Sequence, residues 1–214
     1  MPGPRFINST FSDNDRPIGE HRWEIVRDDQ ATLVRSRAVF EFKVLFVTAY
    51  RYRHHANELW RDGCLVALAS ATDDNGKPFT VAAERREGGL ELTRREPQRQ
   101  TDRIDSECPA TFAYWDPERL RRDSLINAQS GDAAATTLTR EGTEMLNGES
   151  TVRYRLEVDQ APTITLWYRE RDGQWLQLRT QRNDGLLEYR LDSTEARSAP
   201  AIDADAGVET PTVS

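Results

Sequence analysis

From Ala38 to Trp60 the chain alternates with a period of two. Ala38, Phe40, Phe42, Val44, Phe46, Thr48, Tyr50, Tyr52, His54, Ala56, Glu58 and Trp60 share one parity. Glu41, Lys43, Arg51, Arg53, His55 and Asn57 hold the other. Side chains of a strand point alternately to opposite faces, so this pattern predicts a half-buried β-strand. A helix is excluded because the aromatic positions do not recur at three and four. The run is longer than an ordinary strand, which predicts a bend or break near Leu45 to Thr48 with the sidedness kept across it. The inward parity is aliphatic and aromatic up to Phe46 and amphipathic beyond it, through Tyr50, Tyr52, His54, Glu58 and Trp60.

The same grammar extends along the chain. Asp28-Asp29, Asp62-Gly63, Asn75-Gly76 and Gly88-Gly89 are turn signals of a meander whose turns recur roughly every ten residues, as in sandwiches and barrels, and Asn147-Gly148 and Asp172-Gly173 mark further hairpins where the meander resumes. The prediction is one all-β antiparallel meander of about ten or eleven strands over residues 1–191. Arg95 to Glu107 is polar and aperiodic and reads as a loop or lid. Asp116-Pro117-Glu118 has the cap and first-turn residues of a short helix over Pro117 to Arg121. Residues 192–214, acidic and rich in Ala, Pro, Ser and Thr, read as a disordered tail.

The formal net charge is −7, the wrong sign for displacing counterions from nucleic acid. No apolar run reaches the length of a membrane-spanning helix, and a chain this rich in charge reads as soluble. The opening MPGPRFINST lacks a basic-then-apolar leader. The two cysteines, Cys64 and Cys108, fit either a reduced interior or one disulfide.

Several groupings carry chemical potential, each with a plain structural alternative. Tyr50, Tyr52, His54, Glu58 and Trp60 can line a ligand-binding pocket or form a wet aromatic core whose hydroxyls and N–H groups find partners. His54 and Glu58 can act as acid and base, with Tyr52 or Arg179 holding an anionic group, or His54 can be a hydrogen-bonded structural residue. A metal site is not expected: His54 and His55 point to opposite faces, and His54 and Glu58 lie about 13 Å apart along a strand. Trp115, Trp167 and Trp175 with Tyr114 and Tyr168 form either a ligand platform or ring closures at sheet ends. No nucleophile elbow, dinucleotide fingerprint or phosphate loop occurs, and no cofactor is implied.

Ile18-Gly19-Glu20-His21, Tyr50-Arg51-Tyr52, Glu58-x-Trp60, Asp62-Gly63-Cys64-Leu65, Tyr114-Trp115, Leu125-Ile126-Asn127-Ala128-Gln129-x-Gly131 and Leu166-Trp167-Tyr168 resemble, in order over about residues 5–191, an uncharacterised bacterial protein family. The resemblance implies the incompletely closed antiparallel half-barrel of bacterial lipoprotein carriers, with a violacein-pathway enzyme as a second relative by fold. It transfers no catalytic residue. Family members look exported, and this N-terminus departs from that, so the compartment stays open, as does the oligomeric state. Export would favour pairing of Cys64 with Cys108.

Three functions follow as expectations. The first is a non-enzymatic carrier of an apolar or amphipathic, lipid-like small molecule on the concave face. The second is a small-molecule enzyme using that cavity. The third is an interaction module using an open sheet edge.

Overall fold

The structure, a computed structural model, describes residues 5–14, 16–44, 47–96, 98–182 and 185–196. The described residues form fourteen strands, where the sequence pattern predicts about ten or eleven: β1 (Arg5–Asp13), β2 (Arg16–Arg27), β3 (Thr32–Val44), β4 (Val47–Arg61), β5 (Cys64–Asp74), β6 (Lys77–Arg86), β7 (Gly89–Glu96), β8 (Gln98–Ile104), β9 (Ser124–Ile126), β10 (Ala133–Leu146), β11 (Glu149–Val158), β12 (Ile164–Arg169), β13 (Trp175–Arg182) and β14 (Gly185–Ala196). All belong to one antiparallel sheet in the order β8-β7-β6-β5-β4-β3-β2-β1-β14-β13-β12-β11-β10-β9. The sheet is not closed, because β8 and β9 are its two edges.

Two meanders compose the sheet. The chain starts in the middle, walks out to the β8 edge, crosses to the β9 edge, and walks back until β14 pairs with β1. The turns follow the sequence. Asp62 and Gly63 have φ of 50° and 75°, and Asn75 and Gly76 have 53° and 88°, the left-handed pair that matches strand twist in a two-residue hairpin.

Strong curvature brings one face of the sheet onto itself. Trp23 of β2 and Trp175 of β13 are three strand spacings apart, about 14 Å along a flat sheet, yet their rings meet edge to face at 5.5 Å. The concave face carries Ile7, Trp23, Ile25, Val34, Trp60, Leu68, Leu156, Leu166 and Leu178, all buried. The crossing segment between β8 and β9 adds Ala110, Ala113, Trp115 and Leu120 to the same core, and β9 adds Leu125 and Ile126.

The expected break near Leu45 to Thr48 is present and is a full reversal, with Val44 and Val47 paired with each other; Leu45 and Phe46 lie outside the described residues. Sidedness is nevertheless kept, because Phe40 sits opposite Tyr52 and Ala38 opposite His54. Other expectations are corrected. Part of the Arg95–Glu107 stretch is strand: β8 pairs with β7 from Leu90↔Ile104 to Glu96↔Gln98. It shows no alternation because, as an edge strand, it is exposed from Gln98 to Arg103 and needs only backbone hydrogen bonds to form.

No helix occurs among the described residues. Asp116 to Arg121 forms successive turns through Arg119 N–Asp116 O, Leu120 N–Pro117 O and Arg121 N–Glu118 O hydrogen bonds of 3.2–3.4 Å. The Asp116 side chain accepts from the Glu118 amide at 3.1 Å, as a cap would, but one turn is too short to offset helix nucleation. The last strand continues through Asp192 to Ala196, where Arg5 pairs with Ala196; the rest of the acidic tail lies outside the described residues.

Candidate functional site

The register of β1 to β5 lays the concave floor out in rows. One row runs Phe11, Gly19, Phe40, Tyr52, Asp74, and the next runs Ser9, His21, Ala38, His54, Thr72. The third is Ile7, Trp23, Ser36, Ala56, Ser70, and the fourth begins Arg5, Ile25, Val34, Glu58, Leu68. Small side chains at Ser36, Ala38 and Ala56 occupy the centre, ringed by aromatic residues. A floor of this shape leaves volume above it that its own side chains cannot fill.

Residues 108–132 roof that floor. Cys108 is joined to Cys64 by a disulfide. The Leu65 amide donates to the Pro109 carbonyl at 2.8 Å, and the Ile126 amide to the Ala110 carbonyl at 2.8 Å. The Arg119 guanidinium lies 4.7 Å from the Trp60 ring and 4.8 Å from the Trp115 ring, a doubled cation–π contact. Tyr168 Oη donates to the Tyr114 carbonyl at 2.8 Å, and Ser70 Oγ to the Ala128 carbonyl at 2.5 Å.

Between floor and roof is a cavity of about 460 Å³. Six rings border it: Trp23, Tyr52, Phe112, Tyr114, Trp115 and Tyr189. Its polar lining includes His21, His54, Glu58, Thr111 and Gln129. This is within the size range of small-molecule sites, which are largely apolar with a few placed polar groups.

Glu58, His54, His21 and Tyr52 of the lining are perturbed by their surroundings. Glu58 accepts from Trp60 Nε1 at 3.0 Å and from Thr111 Oγ1 at 2.8 Å. Burial raises its pKa, opposed by those two hydrogen bonds and by the Arg119 charge. His54 places Nδ1 2.8 Å from Thr72 Oγ1, and burial, with the nearby His55, lowers its pKa to about 4. His21 stacks on Trp23 at 3.7 Å, neither of its ring nitrogens has a hydrogen-bond partner, and burial and His54 hold its pKa well below the usual value. Both histidines are neutral at pH 7. Tyr52 Oη donates to Gln129 Oε1 at 2.9 Å, and burial, then Tyr50 and Asp74, raise its pKa.

The residues singled out in the sequence therefore separate. Tyr52, His54 and Glu58 line the cavity. Trp60 is in the core behind it, bonded to Glu58. Tyr50 is not part of the lining; its hydroxyl donates to Asp74 at 2.7 Å, and burial and Asp74 push its pKa up to about 12. Arg179 is on the convex face, because Leu178 beside it is in the core; it is ion-paired with Glu188 and lies 5.5 Å from the Trp167 ring. It cannot hold an anionic group in the cavity. His54 and Glu58 bond to different partners, Thr72 on one side and Trp60 and Thr111 on the other.

Of the rings considered as a platform, Tyr114 and Trp115 line the cavity, Trp175 and Tyr168 are in the core, and Trp167 is on the convex face with its Nε1 donating to Glu144 at 2.5 Å. Among the described residues no group of three or more His, Cys, Asp or Glu side chains is placed to hold a metal ion, and no helix is long and apolar enough to cross a membrane. The sequence reading missed His21, Trp23 and Tyr189, and of the roof it singled out only Tyr114 and Trp115. The signal that was legible is the trio of small inward residues, Ser36, Ala38 and Ala56, within an otherwise aromatic face.

The family model described as a domain of unknown function, DUF6134, matches residues 11–192. The chain belongs to this family. A solved structure, the β-barrel-like protein of domain of unknown function DUF1849 from Brucella abortus, superposes with a TM-score of 0.69 over 92% of this chain and 99% of that chain, at 12% identity. At that identity the likeness shows the fold alone. No curated protein matches the chain significantly.

Proposed function

We propose that this protein is a non-enzymatic binding protein for an apolar or amphipathic small molecule held between the concave floor and the 108–132 roof. The observation that carries the reading is the cavity itself: about 460 Å³ ringed by six aromatic side chains, in a core where space this large is otherwise filled. The acid/base alternative draws less support, since both Glu58 oxygens are engaged by structural donors and His54 is turned to Thr72.

The test is native mass spectrometry of delipidated protein after equilibration with a hydrophobic extract of cells. The expected result is a stoichiometric non-covalent adduct that is lost in Ala134→Trp, a substitution at a lining residue, with the fold of the variant checked by circular dichroism. Wild-type protein that stays ligand-free across extracts overturns the reading.

A further inference from the structure

The cavity lining specifies the chemistry of its occupant more narrowly than amphipathic. Among the described residues lining it there is no Lys or Arg. The cations that touch lining residues are already engaged: Arg119 lies between Trp60 and Trp115 and 3.3 Å from Asp116, Arg27 lies over the Trp115 ring and is paired with Asp116, and Arg94 is paired with Asp132 and Asp102. The ionised or ionisable carboxyls of the lining are Glu58, already engaged, and the exposed Asp132 and Asp159. An anion entering here meets no Lys or Arg of the lining, and the carboxylates it passes are Asp132, neutralised by Arg94, and Asp159. Burial of an unpaired charge costs several kcal/mol, so a carboxylate or sulfonate is rejected whatever its apolar part gains.

Size restricts the occupant further. At about 30 Å³ per water, the cavity equals about fifteen waters of liquid. A molecule of about fifteen to twenty non-hydrogen atoms fills it, and a two-chain phospholipid is several times too large.

The polar handle is also visible. His21 and His54 lie in one row on either side of Ala38. Nδ1 of His54 is used by Thr72, which leaves Nε2 as its other hydrogen-bonding atom. Neither nitrogen of His21 has a partner. A neutral imidazole offers one donor and one acceptor, and a buried polar atom without a partner is costly. A half-turn of the His21 ring exchanges its carbons and nitrogens without changing its outline, so either edge of this lining ring can present nitrogen at no steric cost. A hydroxyl, which both donates and accepts, matches this pair of imidazoles.

We infer that the cavity takes a compact, uncharged aromatic molecule bearing a hydroxyl-type group seated between His21 and His54, and rejects anionic amphiphiles, fatty acids included. This rests on the binding reading above and narrows it.

Matched probes test the two parts. N-phenyl-1-naphthylamine is neutral and of the right size, and 1-anilinonaphthalene-8-sulfonate is the same skeleton with a sulfonate. The expected result is saturable 1:1 binding of the neutral probe, with the sulfonate and hexadecanoate each at least about tenfold weaker. Equal or tighter binding of either anion overturns the inference and leaves the binding reading standing. No binding of any probe overturns the inference, and a ligand-free protein in the extract experiment as well removes the binding reading with it. For the handle, 4-benzylphenol is compared with diphenylmethane by competition against the neutral probe. A hydroxyl advantage of about fivefold to tenfold is expected, lost in His54→Phe; equal affinities in the wild type overturn the handle without recourse to any variant.

Discussion

Acid should destabilise this protein through His54, and the size of the effect follows from its surroundings. His54 is 8% exposed, and burial lowers its pKa from 6.5 to about 4. In the unfolded chain the ring regains its ordinary value. Between pH 6.5 and about 4 the unfolded state therefore carries a proton that the folded state lacks, so acid favours unfolding. The stability is fully present above pH 6.5 and is lost as pH falls to about 4. At pH 5 the loss from this one group is about 2 kcal/mol, rising to about 3 kcal/mol at the acid end of the window. That is a large part of an ordinary folding free energy.

His21 acts in the same sense. Glu58 acts in the opposite one, because its pKa is raised on folding and its protonation favours the folded state. Urea unfolding of wild type and His54→Gln at pH 4.5 to 8 reads His54 together with its coupling to His21, because Gln cannot ionise and the uncoupled groups cancel in the difference. The wild type should lose about 2 kcal/mol more than the variant between pH 8 and pH 5. The chain has three histidines, so ring C–H resonances are assignable, and that of His54 should not move above pH 5. A His54 ring titrating near 6.5 in the folded protein, or a difference curve flat with pH, would refute the reasoning.

Other outcomes follow from single contacts. The Cys64–Cys108 bond spans 44 residues, so replacing both cysteines by Ala should cost about 4 kcal/mol of chain-entropy stabilisation, measured by denaturant melts; an unchanged midpoint would mean the roof is held without it. Thr111→Val leaves Glu58 with one donor fewer in a buried site and should cost about 1–3 kcal/mol; a neutral result in the same melts would show that Glu58 relaxes to another partner. At Gly19 an added Cβ would collide with the Val39 carbonyl oxygen and the Phe40 ring, so Gly19→Ala should destabilise by about 3 kcal/mol, and a thermal midpoint equal to the wild type would contradict the packing described for that row.

What the sequence determined by itself is local. Alternation placed Tyr52, His54, Glu58 and Trp60 on the inner face of β4, with Arg51, Arg53 and His55 on the other, because a one-residue slip would bury the charges. The Asp-Gly and Asn-Gly pairs marked their hairpins because those residues tolerate the backbone angles the turns require. Tertiary structure decided everything that depends on a partner distant in sequence. The reversal between Val44 and Val47 carries no Gly, Pro or Asn signal; it exists because β3 and β4 pair along their whole length. β8 is a strand only because β7 offers it backbone groups. Arg179 has the polar character of a pocket residue, and only the register against β12 and β14 sends it to the convex face. The cavity depends most on tertiary structure. It arises because β1 pairs with β14, which leaves β8 and β9 as open edges at opposite ends and obliges the chain between them to cross the concave face. Which side chains that crossing lays over Ser36, Ala38 and Ala56, and how much space it leaves, is set by packing between segments that no local pattern connects.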